Sequence, residues 1–188
     1  MLYAISGSQG TGKSTMLKHL KDLEFNTIER KTARSVLNDW NITLTDVYSD
    51  LEIMKKFQEE LVIRKYEDEY KAYHDKDNIW FTERTFADLL AYTTIVLGPK
   101  NENADWLSTY LRICSTYQKK YDGIFYINHI PEIIENDGLR NHCSVFGRLV
   151  NYSIKGYTHY ITDENKIIDI DIWNIRDRID IVLQHIGR

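Results

Sequence analysis

The chain has 188 residues, 43% of them hydrophobic and 28% charged, which is ordinary for one globular domain with its own core. A formal net charge of −4 argues against broad electrostatic binding to nucleic acid, although it leaves a local basic patch open. Neither a charged leader before an apolar segment nor a transmembrane-length apolar run occurs, so we expect an intracellular protein acting in the cytoplasm, without membrane contact.

The first fifteen residues join a short β-type run to a glycine-rich loop. Leu2, Tyr3 and Ile5 precede Gly-Ser-Gln-Gly-Thr-Gly-Lys-Ser-Thr at residues 7–15, and apolar residues follow at helical spacing. The match is to G-x-x-x-x-G-K-[ST], whose backbone N–H groups cradle phosphates; Lys13 would reach the β- and γ-phosphates and Ser14 would bind Mg²⁺. The sequence therefore predicts an ATP and Mg²⁺ site that uses Gly7, Gln9, Gly10, Thr11, Gly12, Lys13, Ser14 and Thr15.

The next segments predict a strand, a short helix and a long helix. Residues 26–29 are typical of a short strand, and residues 31–39 of a helix with Ala33, Val36 and Leu37 inward. Residues from about 45 to 74 repeat apolar side chains every three or four positions and predict one long helix. Ser49 and Glu52 have the spacing of a capping box at its start. Core packing is favoured over a binding stripe for the aromatic residues that continue its apolar face, Tyr66, Tyr70 and Tyr73.

The rest of the chain alternates strands and helices. We predict strands at residues 78–83, 123–127 and 157–162, and a helix from 86 to 97 that ends at Gly98. Two more helices are marked by apolar stripes, one through Trp106, Tyr110, Cys114 and Tyr117 and a last one through Ile175, Ile179, Val182 and Ile186. Alternation of this kind implies right-handed crossovers between parallel strands. The expected fold is α/β with three layers, a five-stranded parallel sheet with helices on both faces.

Charged residues beyond the loop supply the other requirements of phosphoryl transfer. Glu83 and Arg84 lie just past the third predicted strand, and Glu29 ends the second, where it is suited to accept a proton from a bound hydroxyl. Arg140 and Arg148 flank a helix-prone segment and could close over phosphates as a lid. The alternative to a functional role is that these charged residues form surface salt bridges and solvated turns.

Two stretches together resemble the P-loop nucleoside and nucleotide kinases. They are the loop at 7–15 and Thr-Glu-Arg-Thr-Phe-Ala-Asp-Leu-Leu-Ala-Tyr at 82–92. Glu83-Arg84-Thr85 resembles the Glu-Arg-Ser signature of deoxynucleoside kinases. Residues 88–92, with Asn-Asp-Gly-Leu-Arg at 136–140, are more similar to small ATPase-annotated kinases that resemble ribosylnicotinamide kinase. The resemblance implies one kinase domain over residues 1–188, with a short helical lid at about 136–156.

The resemblance also implies roles for individual residues. Glu83 would hold Mg²⁺ through water, Arg84 would lie near the acceptor hydroxyl and the transferred phosphoryl, and Glu29 would be the base. Arg140 and Arg148 would be the lid arginines. Residues expected to contact the acceptor are Arg34, Phe57 and Asp88. Two departures from the ribosylnicotinamide-kinase-like group are Lys31, where a glutamate is usual, and Glu83, where an aspartate is usual.

These features predict a kinase that moves the γ-phosphoryl of ATP to a hydroxyl of a nucleoside or nucleotide. Similar kinases occur in bacteriophages, and some of them phosphorylate hydroxymethylated pyrimidines within DNA, so a nucleic acid acceptor and a phage origin stay open. A P-loop ATPase without a small-molecule acceptor is a further alternative, and a homodimer is compatible with the sequence. A regulatory GTPase is disfavoured because no Asn-Lys-x-Asp motif occurs.

Overall fold

The computed structural model describes residues 1–28, 33–98, 100–128 and 144–188, and these form a parallel sheet between two layers of helices. The strands are β1 (Leu2–Ser6), β2 (Asn26–Thr27), β3 (Trp80–Glu83), β4 (Gly123–Ile127) and β5 (Ile167–Ile170). The helices are α1 (Lys13–Asp22), α2 (Ala33–Trp40), α3 (Leu44–Ser49), α4 (Leu51–His74), α5 (Phe86–Leu97), α6 (Ala104–Gln118), α7 (Ser144–Ile161) and α8 (Ile175–His185). The predicted α/β fold is thereby confirmed.

The sheet has the strand order β2-β3-β1-β4-β5, with every neighbouring pair parallel. The glycine-rich loop therefore leaves the carboxyl end of the central strand. The pairing register sets Ile5 of β1 opposite Glu83 of β3. Because the carboxyl ends of parallel strands share one edge, the loop and the Glu83-Arg84 motif lie side by side at the crevice where open α/β sheets bind ligands.

Alternate residues of the central strands supply two separate cores. Tyr3 and Ile5 face α1 and α8, where they pack with residues such as Met16 and Val182. The intervening residues Leu2 and Ala4 join a larger core on the other face, built mainly from α2 to α6. Residues of α7 pack on the same side through Tyr126. This alternation is the side-chain period of a strand buried on both faces.

The predicted fifth strand at residues 157–162 is wrong. Residues 157–161 are the last turns of α7, and β5 is the later run Ile167–Ile170. Tyr157, Tyr160 and Ile161 have side chains typical of strands, but helical spacing of buried residues decides the structure there. The buried side chains of α7 include Val150, Ile154 and Ile161.

The predicted long helix at 45–74 is in fact two helices, α3 and α4. Asp50 adopts an extended conformation between them, and its carboxylate accepts hydrogen bonds from the N–H groups of Glu52 and Ile53. Asp50 therefore caps α4, and the predicted capping box of Ser49 with Glu52 is wrong. The helix between residues 86 and 97 and the strand at 123–127 are confirmed with their predicted bounds, whereas β2 and β3 are shorter than predicted.

Candidate active site

The loop between β1 and α1 has the backbone that a phosphate cradle requires. Gly7 has φ 137°, and a Cβ on it would lie 2.9 Å from the carbonyl oxygen of Ile127. Gly12, with φ 86°, is the N-cap of α1. Such left-handed conformations are open to glycine and strained for other residues. The loop therefore ends at the positive end of a ten-residue helix, where an anion is favourably bound.

The Lys13 side chain lies inside the loop and not in solvent. It is 4% exposed, and its ammonium donates to the carbonyl of Ser8 at 2.6 Å and contacts Thr11 Oγ1 at 3.4 Å. Thr11 Oγ1 also donates to the Ser8 carbonyl, at 2.9 Å. The loop thus holds a positive charge within its own ring of backbone atoms, at the place where the predicted phosphates would lie.

Ser14 and Glu83 are brought together across 69 residues of sequence. The Ser14 hydroxyl donates to Glu83 Oε2 at 2.7 Å, directly after the loop and at the end of β3. A hydroxyl beside a carboxylate fits the way Mg²⁺ is held in phosphoryl-transfer sites, with few protein ligands and the remaining positions taken by phosphate and water. Among the described residues no cluster of three or more His, Cys, Asp or Glu side chains forms a larger metal site.

Arg84 follows Glu83 in a left-handed conformation, with φ 66°. Its N–H donates to the carbonyl of Ile5 at 2.8 Å, which ties the turn to the central strand. Its guanidinium lies 3.8 Å from Asp88 Oδ1 and 5.2 Å from the ring centre of Tyr92. Burial opposes the charge of this group, but Tyr92, Asp88 and Glu83 raise the pKa of Arg84. The cation stays charged at the edge of the crevice.

Asp88 is fully buried and forms the capping box of α5 with the N-cap residue Thr85. Its Oδ2 accepts hydrogen bonds from Ser6 Oγ at 2.6 Å, Thr85 Oγ1 at 2.7 Å and the Thr85 N–H at 2.8 Å. Its Oδ1 is oriented toward Arg84, so the carboxylate joins the end of β1, the start of α5 and the guanidinium. These contacts are all within the protein, and the predicted contact of Asp88 with an acceptor stays a prediction.

The remaining predicted site residues are Phe57, Arg34, Arg148, Glu29 and Arg140. Phe57 is 3% exposed in the larger core, where its ring meets Trp40 edge to face at 6.2 Å. Arg34 and Arg148 are exposed on α2 and α7. Glu29 and Arg140 lie outside the residues that the structure describes, so the predicted base and one lid arginine are not placed. The roles of these residues stay predictions.

Three charged residues near the site were missed by the sequence analysis. Arg178 of α8 is 1% exposed, and its guanidinium donates to the carbonyls of Thr11 at 2.5 Å and Ile172 at 2.6 Å. Burial lowers the pKa of Arg178. Lys65 and Glu69 form a buried ion pair on α4 beneath the Glu83-Arg84 turn. Each of the three lies at a position that continues the apolar stripe of its helix, and this spacing is the sequence feature that could have indicated its burial.

No helix within the described part of the chain combines the length and the apolar character needed to span a membrane.

Comparisons with known proteins agree with this architecture. The structure is similar to the NadR protein in complex with NR, with a TM-score of 0.75 and 18% identity, over 100% of this chain and 52% of that one. The NadR protein in complex with NAD and AMP-PNP gives a TM-score of 0.71 at 16% identity, over 100% and 49%. The chain thus spans about half the length of these NadR proteins. Deoxyadenosine kinase from M. mycoides with bound dATP gives a TM-score of 0.72 at 13% identity, over 100% of both chains.

At these identities the similarity shows the fold, which is the three-layer fold of P-loop kinases. A comparison with curated proteins found no match. A family model described as an AAA domain matches residues 2–149, which include the glycine-rich loop, Glu83 and Arg84. Since this match covers most of the 188 residues, the chain belongs to the AAA domain family.

Proposed function

We propose that the protein is an ATP-dependent kinase that moves the γ-phosphoryl to a hydroxyl of a nucleoside or nucleotide-type acceptor. The observation that carries the proposal is the contact between Ser14 Oγ and Glu83 Oε2 at 2.7 Å, with Arg84 next to it. A triphosphate cradle alone serves many reactions. A carboxylate and a guanidinium fixed beside the cradle supply what phosphoryl transfer needs, namely a held metal and a cation for the moving charge.

The roles follow from chemistry and position. The backbone N–H groups of the loop and the Lys13 ammonium would bind the phosphates, and Ser14 with Glu83 would hold Mg²⁺, which would neutralise charge on the phosphate oxygens. The acceptor hydroxyl would attack the γ-phosphorus as the bond to the β-phosphate oxygen breaks. ADP would then leave, and the hydroxyl proton would pass to a carboxylate, for which Glu29 is our assignment. Arg84 would neutralise the transferring group from the side.

The acceptor class draws support from the structural neighbours. The NadR complex contains NR, and the M. mycoides enzyme is a deoxyadenosine kinase. A fold shared with such proteins favours a nucleoside-type acceptor, with Arg34 and Phe57 as contacts and Arg140 and Arg148 as lid arginines.

The proposal is tested by radiolabelled ATP with four acceptor groups: nucleosides, monophosphates, ribosylnicotinamide and hydroxymethylated DNA. We expect label on one of the first three groups, and we expect Lys13→Ala to abolish it while the protein stays folded by circular dichroism. Lys18→Ala, an exposed lysine later on the same helix, is the matched control. Label on DNA alone would move the acceptor to a base in DNA. Phosphate release with every acceptor unlabelled would establish an ATPase and refute the kinase.

A further inference from the structure

The ion pair of Lys65 and Glu69 is buried in the layer between α4 and the sheet. Lys65 Nζ lies 2.5 Å from Glu69 Oε1, and the two side chains are 0% and 1% exposed. Removal of two charges from water is costly, and such pairs are commonly no more stabilising than apolar residues of similar volume. Stability alone is therefore a weak reason for this pair.

The ammonium of Lys65 also reaches the backbone of the candidate active site. It donates to the carbonyl of Arg84 at 2.9 Å and lies 3.5 Å from the carbonyl of Glu83. The rings of Phe86 and Tyr121 lie 5.5 Å and 5.9 Å from the nitrogen and enclose it further. An ammonium has three N–H donors. One is directed to Glu69 and another to the peptide that follows the positive-φ residue of the motif.

Glu69 is itself held from several directions. Thr82 Oγ1 donates to it at 2.9 Å from β3, one residue before Glu83. The hydroxyl of Tyr121 donates at 3.1 Å and that of Tyr73 at 2.5 Å. The carboxylate is thereby fixed by three hydroxyls as well as by the ammonium, so it presents Lys65 to the turn in one orientation.

Arg84 is the residue that this arrangement constrains. A left-handed backbone is unfavourable for arginine and persists only where its surroundings enforce it. Its N–H is held by Ile5 and its carbonyl by Lys65, one on each side of the strained residue. We propose that Lys65 is a positioning residue, which fixes the Arg84 backbone and so directs Glu83 toward Ser14 and the Arg84 guanidinium toward the transferring phosphoryl. The inference rests on the proposed kinase function.

The test compares two variants that break the same ion pair. Glu69→Gln removes the negative charge but keeps an amide oxygen that can accept from the ammonium, so Lys65 stays on the carbonyl of Arg84, whereas Lys65→Met removes both contacts at nearly constant volume. We expect kcat near the wild-type value for Glu69→Gln and lower by roughly 10- to 100-fold for Lys65→Met, with KM for ATP little changed, since misplaced catalytic groups cost about that much. The half-saturating Mg²⁺ concentration should rise only in Lys65→Met. Arg64→Met, which breaks the ion pairs of the preceding residue to Glu60 and Asp39, is the matched control.

The double variant Lys65→Met with Glu69→Gln separates positioning from stability, because it leaves no unpaired buried charge. We expect its melting temperature to recover relative to Lys65→Met while kcat stays low. A double variant with wild-type kcat, or one that fails to fold, would assign Lys65 a structural role and overturn the inference. Equal loss of kcat in both single variants would do the same.

Failure of the kinase proposal would be recognised separately, in the wild-type protein. If it binds Mg²⁺ and ATP but labels no acceptor, the kinase proposal fails. The role of Lys65 is then judged by Mg²⁺-dependent ATP binding in calorimetry, where only the variants that lack Lys65 should need a higher Mg²⁺ concentration for half-saturation. Unchanged dependence in those variants would overturn the inference.

Discussion

Glu83→Gln should uncouple activity from stability. The substitution keeps the size of the side chain and an oxygen that can accept a hydrogen bond from Ser14 Oγ. In the native protein this hydroxyl lies 2.7 Å from Glu83 Oε2. A hydrogen bond to a charged group contributes about 1.5–3 kcal/mol and a neutral one about 0.5–1.5 kcal/mol. The change therefore costs about 1 kcal/mol of folding free energy at most, because Ser14 is exposed and solvent weakens the charged bond. For a chain of this size that is a fall of about 2–4 °C in melting temperature.

The expected loss of activity is much larger. The variant lacks the negative charge proposed to hold Mg²⁺ on the phosphates, and removal of one preorganised electrostatic group costs about 10²–10³ in kcat, or roughly 2.7–4 kcal/mol. Single-turnover transfer from radiolabelled ATP measures the chemical step, and differential scanning calorimetry measures stability. Glu102→Gln, at an exposed position where the native carboxylate lies 3.9 Å from Lys100, is the control with neither effect. Turnover within threefold of wild type, or a loss of turnover matched by a fall of more than 10 °C, would refute the reasoning.

Three further predictions concern stability and reactivity. Gly7→Ala should destabilise the fold by roughly 2–4 kcal/mol and abolish ATP binding, because the new Cβ would contact the Ile127 carbonyl at a positive φ. Gly156→Ala, a helical position with open space around it, should instead raise the free energy of unfolding by about 0.5–1 kcal/mol. Thermal unfolding measures both, and the reverse order of stabilities would contradict the loop geometry. Hydrogen bonds from the Trp80 indole and the Asn78 amide lower the pKa of Asp75 below its unfolded value near 3.9. The ionised carboxylate of Asp75 therefore stabilises the folded protein above about pH 4, and this contribution is lost as the pH falls through the folded pKa. Asp75→Asn should accordingly lower the melting temperature at pH 7, and its difference from wild type should shrink as the pH falls below 4; a gap independent of pH would contradict the assignment. Burial raises the pKa of the Cys114 thiol to about 12, so the thiol should be unreactive in the folded protein. In a Cys143→Ser background, iodoacetamide at pH 8 should label the protein only after denaturation, as measured by mass spectrometry. Rapid labelling of the native protein would contradict the burial of this thiol.

The parts of the site that could be predicted from sequence depend on local backbone chemistry. The loop requires glycine at fixed positions and a helix directly after it, so its residues carry the signal themselves. Glu83 could be placed because strand alternation predicts a parallel sheet, and the ends of parallel strands meet at one edge. Pairing of Ile5 with Glu83 then brings the carboxylate to Ser14, as the structure shows.

The parts that could not be predicted depend on contacts between distant segments. Charged residues on a long helix ordinarily face solvent, but Lys65 and Glu69 follow Leu61 at intervals of four residues and lie on the same buried face of α4. They are buried beside the hydroxyls of Thr82 on β3 and Tyr121 in the connection between α6 and β4, which hydrogen-bond to Glu69 from distant parts of the sequence. The position of β5 was missed for a related reason. Side chains with strand propensity end α7 because packing on α5 and β4 overrides propensity.

Arg178, which the sequence analysis missed, fixes the backbone of the glycine-rich loop that the sequence predicted. A trans peptide is planar, and its C=O and the next N–H point in opposite directions. The carbonyl of Thr11 is directed to the Arg178 guanidinium at 2.5 Å, so the N–H of Gly12 points away from that guanidinium. A Cβ at Gly12 would lie 3.3 Å from the same guanidinium, which leaves little space for any residue other than glycine there. The orientation of this backbone N–H, which the loop sequence alone implied, is therefore enforced by an arginine 167 positions away.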